Sequence, residues 1–148
     1  MSNTKITVEG PEGSVKAVKV AFATKDMENI NAHFGGAKEF VVYDIAKDGY
    51  TLSEVRKTDT SAFKGDDKTD FKVKALQGIN IMYCESIGGT AAAKVIRGGI
   101  NPMKVMEPTR IETVLKQLIA MLNDNPPPWI KRIMNVDTND LVRNARWQ

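Results

Sequence analysis

The chain has 148 residues, a net charge of +3 and an apolar fraction of 42%, which suits one domain with a core of its own. Its longest apolar run, Leu118 to Leu122, is far shorter than the roughly 20 residues that cross a bilayer, and its first residues lack the apolar segment of a signal peptide. We therefore expect a cytoplasmic protein with no membrane partner, and the interspersed acids and bases do not favour a nucleic-acid partner.

The N-terminal part of the sequence predicts a polar lead and then a buried strand. Residues 1–14 are polar and rich in glycine, which indicates a flexible segment. A strand is predicted over 16–24, where Val18, Val20 and Phe22 share one face and mostly alanine lies between them. This nearly continuous apolar run is typical of a central strand that is buried on both faces.

An antiparallel hairpin is predicted next. Strands are expected over 38–45 and 50–57, and the dipeptide Asp48-Gly49 between them is a turn signal. After the hairpin, helices alternate with strands. The predicted elements are a helix that stops at Gly78, a strand at "INIMYCES", a helix at "GGTAAAKVIRGG", a strand at "NPMKVME" and a helix over 109–122.

The last of these helices has the clearest pattern. Its apolar residues from Ile111 to Leu122 repeat at helical spacing, and Thr109 with Glu112 matches a capping box. The whole order predicts an α/β fold of ribonuclease H-like topology. We expect a five-stranded mixed sheet flanked by helices, with the first three strands antiparallel and the last two reached by parallel crossovers.

A proline-rich extension follows the predicted domain. We place the domain at 15–123 and the extension at 124–148, where three prolines stop the helix and a short helical segment follows. Exposed Trp129, with Lys131 and Arg132, would suit a docking surface for a protein partner. The alternative is that Trp129 packs back onto the domain.

The only histidine and the only cysteine both fall at predicted strand ends, where ligands lie in open sheets with parallel crossovers. His33 follows the first strand and Cys84 closes the fourth, so the two meet at one crevice if those strands are neighbours. Imidazole is a competent metal ligand, and Gly35 and Gly36 permit positive φ and close approach of a bulky group. Phe34, next to the histidine, is a further candidate for contact with a bound cofactor. The alternative is a loop histidine bonded to a carbonyl, with Phe34 packed inward.

The remaining candidates are weaker signals. Cys84 has the alternative of a small buried core residue, and one cysteine cannot supply the four thiolates of a common iron–sulfur or zinc site. Gly88 and Gly89 precede a helix whose N-terminus suits an anion, and Arg97 flanks another glycine pair.

Sequence motifs for catalysis are missing. The sequence contains neither a phosphate-binding loop, a dinucleotide fingerprint nor a His-Glu-x-x-His zinc motif. The predicted central strand carries no acid for a two-metal nuclease, and a Cys84-dependent hydrolase would need an orienting third group that the sequence does not identify. We expect a protein that is not an enzyme.

The stretch "KVAFATKDMENINAHFGGAKEFVVYDI" resembles the nitrogenase cofactor-biosynthesis domain family, which includes NifX, NifY, NafY and the C-terminal part of NifB. The shared features are a strand that ends in Ala-Phe-Ala, an aspartate soon after it, then His-Phe-Gly and an aromatic strand. "YCESIGGTAAAKVIRGGINPMKV" is similar to the later strand-helix-strand segment of the family. The tail "NPPPWIKRIM" is most similar to the NifX type of stand-alone carrier.

The resemblance implies a ribonuclease H-like carrier that takes an iron–sulfur precursor, or a finished iron–molybdenum or iron–vanadium cofactor, between cofactor assembly proteins and their scaffold. It implies that His33, the histidine of the His-Phe-Gly motif, contacts the cluster. The alternative function is a binding module that holds apo-dinitrogenase or an assembly scaffold through its surface and its C-terminal tail.

Overall fold

The computed structural model describes residues 17–134, apart from the side chain of Asp66. The predicted lead and the end of the predicted extension lie outside the described residues. The strands are β1 Val18–Ala23, β2 Asn29–Ile30, β3 Glu39–Ala46, β4 Gly49–Lys57, β5 Ile81–Cys84, β6 Asn101–Lys104 and β7 Thr109–Arg110. The helices are α1 Asp66–Ala75, α2 Gly89–Arg97, α3 Ile111–Asn123 and α4 Pro128–Met134.

Five strands form one mixed sheet in the order β4-β3-β1-β5-β6. β1 is antiparallel to β3, and β3 is antiparallel to β4. β5 is parallel to both β1 and β6. The predicted α/β fold of ribonuclease H-like topology is therefore confirmed. Within residues 17–134, no helix is both long and apolar enough to span a bilayer.

The central strand β1 explains the layering of the molecule. Val18, Val20 and Phe22 pack on one face of the sheet against α3 and α4, and all three are at most 1% exposed. Ala21 and Ala23 line the other face, where α1 and α2 complete a second core. The small alanines leave room on that face for the ring of Phe34, in the loop that follows β1, and for the ring of Phe40 in β3.

The hairpin has a turn one residue earlier than predicted. The pair Ala46 and Gly49 closes the hairpin, so the two loop residues are Lys47 and Asp48. Gly49 has φ of +150° and lies in the strand rather than in the turn. The two-residue loop still fixes the antiparallel register that the sequence predicts.

The predicted capping box of α3 is wrong. Thr109 lies in β7, which pairs with β2, and its hydroxyl donates to the carbonyl of Glu107 at 2.7 Å. Arg110 is the N-cap residue and forms no side-chain cap bond. The small β2–β7 sheet had no sequence signal, because two-residue strands show no periodicity.

The short helix α4 packs onto the main core. Ile130 and Met134 are 1% and 6% exposed and join the core that β1 and α3 form. Trp129 is half-buried against the same core, while Lys131 and Arg132 are exposed. The prediction of an exposed Trp129 is therefore wrong, and the alternative that it packs back onto the domain is confirmed.

Candidate functional site

Two parallel strands, β1 and β5, bring the predicted site together at the edge of the sheet that the carboxyl ends of the parallel strands form. Phe22 of β1 pairs with Tyr83 of β5, so the segments that follow these two strands are neighbours, as expected. The backbone N–H of Glu85 donates to the carbonyl of Ala32 at 2.9 Å. The N–H of Phe34 donates to the carbonyl of Ser86, also at 2.9 Å.

An aspartate shapes the loop between β1 and His33. The carboxylate of Asp26 accepts the backbone N–H groups of Glu28 and Asn29 and the side-chain amide of Asn29, each at 2.9 Å. These hydrogen bonds hold the pKa of Asp26 well below its usual range. They also support Met27 at φ 69°, so Asp26 is a turn residue and its lone pairs are already used.

A tight turn presents the histidine. The carbonyl of His33 accepts the N–H groups of Gly36 at 3.2 Å and Ala37 at 3.0 Å. Phe34 is 1% exposed and enters the core beside Phe40, so the predicted cofactor contact of its side chain has no support in its position. The His33 side chain is exposed. The turn therefore fixes Phe34 in the core and leaves the imidazole of His33 exposed to solvent.

The imidazole is held by a serine that the sequence reasoning missed. Nδ1 of His33 lies 2.6 Å from Oγ of Ser86. If Nδ1–H donates to the hydroxyl oxygen, the lone pair of Nε2 is left for a metal. Ser86 stands 53 positions along the chain from His33, so the contact depends on the β1–β5 pairing and has no local sequence signal.

Four of the predicted glycines lie at the same edge of the sheet, but none has a backbone conformation that requires glycine. Gly35, Gly36, Gly88 and Gly89 have no positive φ, so the predicted use of positive φ is wrong. A Cβ added to any of them would meet no atom of the chain within 4 Å. Space for a side chain therefore exists above both the His33 turn and the N-terminus of α2.

Cys84 lies beneath the site and is closed to solvent. Its side chain is 0% exposed and packs with Ala23 and Ala32. Burial raises the pKa of Cys84 to about 11, and the positive charge of Lys104 offsets only part of this effect. The protonated thiol is a poor iron ligand, so the structure places Cys84 as a core residue, as the alternative reading expected.

Arg97 is not brought to this edge. It ends α2, and Gly89 begins it, which separates the two by roughly 12 Å along the helix axis. Arg97 instead lines a cavity of about 440 Å³ between α1 and α2, together with Asp70 and Lys94. The predicted cofactor role of Arg97 therefore has no support in its position.

The described residues offer no conventional metal site. In the stretch from 17 to 134, no three His, Cys, Asp or Glu side chains lie close enough together to hold a metal ion. One accessible imidazole can complete the coordination of a cluster that already carries its own sulfide ligands. Within the described part of the chain, His33 is the one imidazole, and its side chain is exposed.

The family model described as dinitrogenase iron-molybdenum cofactor matches residues 16–121. Protein NifX of Sinorhizobium fredii is 39% identical over 80% of this chain and 78% of that protein. Protein NifX of Rhodobacter capsulatus is 36% identical over 90% of this chain and 89% of that protein. The crystal structure of PH0822 is 28% identical with a TM-score of 0.55, and the match covers 70% of this chain and 91% of that one. The chain belongs to the dinitrogenase iron-molybdenum cofactor family.

Proposed function

We propose that this protein is a carrier, not a catalyst, for an iron–sulfur precursor of the nitrogenase cofactor or for the finished cofactor. Its family membership supports a role in nitrogenase cofactor biosynthesis. The single observation that carries the proposal is the exposed imidazole of His33, held through Nδ1 by Ser86 at 2.6 Å. In this proposal Nε2 of His33 binds an iron atom of the cluster.

The proposed ligand set is small because the cargo brings most of its own ligands. Bridging sulfides occupy most positions on each iron of a preassembled cluster, so one imidazole can complete an open position. A single attachment also favours release, which a carrier requires. This agrees with the burial of Cys84, which leaves no thiolate from this chain at the edge of the sheet.

The surroundings of His33 suit a bulky anionic group. Cluster sulfides are anionic, and α2, which begins three residues after Ser86, has no acidic residue in its first turn to compete for its N–H groups. Gly35 and Gly36 on the turn, and Gly88 before the helix, leave the approach open. We propose that these backbone groups give additional hydrogen bonds to the cargo, and that partner assembly proteins and their scaffold deliver and receive it.

Anaerobic binding tests the proposal directly. The purified protein is incubated with iron–molybdenum cofactor extracted from dinitrogenase, and the mixture is separated by gel filtration. We expect a coloured protein fraction that contains iron. The variant His33→Ala should retain at least tenfold less iron, since it lacks the only imidazole in the chain.

Two controls make the test specific. Free imidazole added to His33→Ala should restore part of the binding, because it supplies the missing ligand without the side chain. Ser53→Ala, an exposed serine on the edge strand β4, should bind as the parent does. A colourless protein fraction, or equal iron in the parent and in His33→Ala, would refute the proposal.

A further inference from the structure

Lys72 is a buried cation that the proposed iron binding does not use. It lies on α1 and is 0% exposed, whereas lysine is rarely buried completely. An apolar side chain of similar length would fill this part of the core without the cost of removing an ammonium group from water. The contacts that the ammonium makes therefore indicate what the residue does.

The ammonium is bonded to the end of the His33 turn. Nζ of Lys72 donates to the carbonyl of Ala37, and also to the carbonyl of Thr58 at 3.1 Å. The Ala37 N–H in turn donates to the carbonyl of His33 at 3.0 Å. A chain of two hydrogen bonds thus runs from α1 to the backbone of the proposed ligand.

The same ammonium contacts the other side of the turn through aromatic rings. It lies 5.9 Å from the ring centroid of Phe34 and 5.8 Å from that of Phe40. Phe34 directly follows His33, and cations attract the faces of aromatic rings strongly where water is excluded. Lys72 therefore holds the turn at two residues, Phe34 and Ala37, which lie on either side of the two glycines.

We propose that Lys72 is the positioning residue of the site, fixing the turn so that the imidazole of His33 stays against Ser86. Its effect on cluster binding rests on the function proposed above, but its effect on His33 does not. The charges that act on Lys72 are those of Lys68, which lies one turn earlier on α1, and of Asp59, which follows Thr58.

The single histidine gives a direct readout of turn position. In protein labelled with ¹⁵N-histidine, all imidazole signals come from His33, and their chemical shifts report which ring nitrogen carries the proton. In Lys72→Met we expect these shifts to move away from the values of the parent, because the turn loses the ammonium that bonds Ala37 and lies over the ring of Phe34. The hydroxyl of Thr58 still donates to the Ala37 carbonyl at 3.0 Å, so this variant leaves that acceptor paired.

A matched variant separates positioning from general destabilisation. Ile100→Val removes one methylene from the same core. Ile100 lies directly before β6, at the amino ends of the parallel strands, whereas His33 lies beyond their carboxyl ends. It should lower stability and leave the His33 signals unchanged. If Lys72→Met is partly unfolded, spectra recorded in sucrose, which favours the compact state, report His33 in folded molecules.

Two measurements distinguish the inference from the function on which it partly rests. Signals of His33 in folded Lys72→Met that match those of the parent would overturn the inference. Shifted signals, with roughly tenfold weaker binding of extracted iron–molybdenum cofactor, are the expected result. Shifted signals in a protein whose parent binds no cofactor would uphold Lys72 as the positioning residue and refute the carrier function.

Discussion

One hydrogen bond fixes the chemistry that the His33 imidazole can perform. The Ser86 hydroxyl lies 2.6 Å from Nδ1, and groups that orient a histidine ligand in this way commonly change metal affinity by roughly 10- to 100-fold. Sequence reasoning identified the imidazole from its place after a buried strand. It could not identify the serine, because the contact exists only once β1 and β5 are paired.

Removing the Ser86 hydroxyl should weaken cluster binding without unfolding the protein. Ser86 is exposed, so Ser86→Ala leaves no buried group unpaired and should change the free energy of unfolding by less than about 0.5 kcal/mol. We expect cofactor affinity in anaerobic titrations to fall by roughly tenfold. Ser53→Ala serves as the matched control, and equal affinity in the parent and in Ser86→Ala would contradict the role of this hydrogen bond.

Lys72 should make stability depend on pH in the alkaline range. Burial, with the charge of Lys68, lowers the pKa of Lys72 to about 8, and Asp59 opposes the shift. Between this value and the ordinary value of 10.5, the unfolded chain holds a proton that the folded chain lacks. Stability from this group therefore rises with pH through that window.

Comparison with Lys72→Met isolates the effect from other titrating groups. From pH 7 to pH 10, the parent should gain about 2 kcal/mol in free energy of unfolding relative to the variant. Urea denaturation of both proteins at several pH values measures the difference. Parallel curves for parent and variant would mean that Lys72 keeps its ordinary pKa in the folded protein.

Among the secondary-structure elements, the sequence predicted those whose apolar residues recur at strand or helix spacing. The alternation of valine and alanine in β1 and the helical spacing in α3 each predicted an element that the structure confirms. The capping prediction for α3 was wrong because Thr109 pairs in β7, and β7 exists only through its contact with β2. Long-range pairing decides both the existence of β7 and the place of Thr109, and a local sequence pattern carries no information about such pairing.

The His33 turn offers a prediction that separates folding from binding. Neither Gly35 nor Gly36 has positive φ or a neighbour that a Cβ would meet, so the fold alone does not require glycine there. Gly35→Ala and Gly36→Ala should keep or slightly raise stability. We expect both to bind cofactor more weakly, because the added methyl occupies space that the proposed cargo approaches.

Gly78 provides a control position at which the fold, and not the proposed cargo, requires glycine. It has φ of +91° and lies between α1 and β5, at the edge of the sheet away from His33. Gly78→Ala should therefore cost about 1 kcal/mol of stability and leave cofactor affinity unchanged. Cofactor affinity that falls with stability across all three glycine variants would show that the turn glycines act through the fold and not through the cargo.

At the scale of the whole molecule, the sheet separates two cores with different tasks. One core contains Phe34, Cys84 and the buried Lys72, and it supports the turn that carries His33. The other is closed by α3 and α4 and carries none of the proposed binding groups. The sequence predicted both faces of β1 as buried, but it gave no reason to expect a charged residue inside one of them, because lysine on a helix is usually solvated.

The packing of α4 predicts that this helix belongs to the folding unit and is not a detachable tail. Ile130 is 1% exposed within the core of β1 and α3, so Ile130→Ala should cost about 2 to 5 kcal/mol in urea denaturation. Lys131→Ala, an exposed neighbour, should change stability by less than about 0.5 kcal/mol. Because Ile130 lies in the core away from His33, cofactor affinity of folded Ile130→Ala should match that of the parent. A stability loss no larger than that of Lys131→Ala would mean that α4 contributes little to the core and leave it open as a separate docking element.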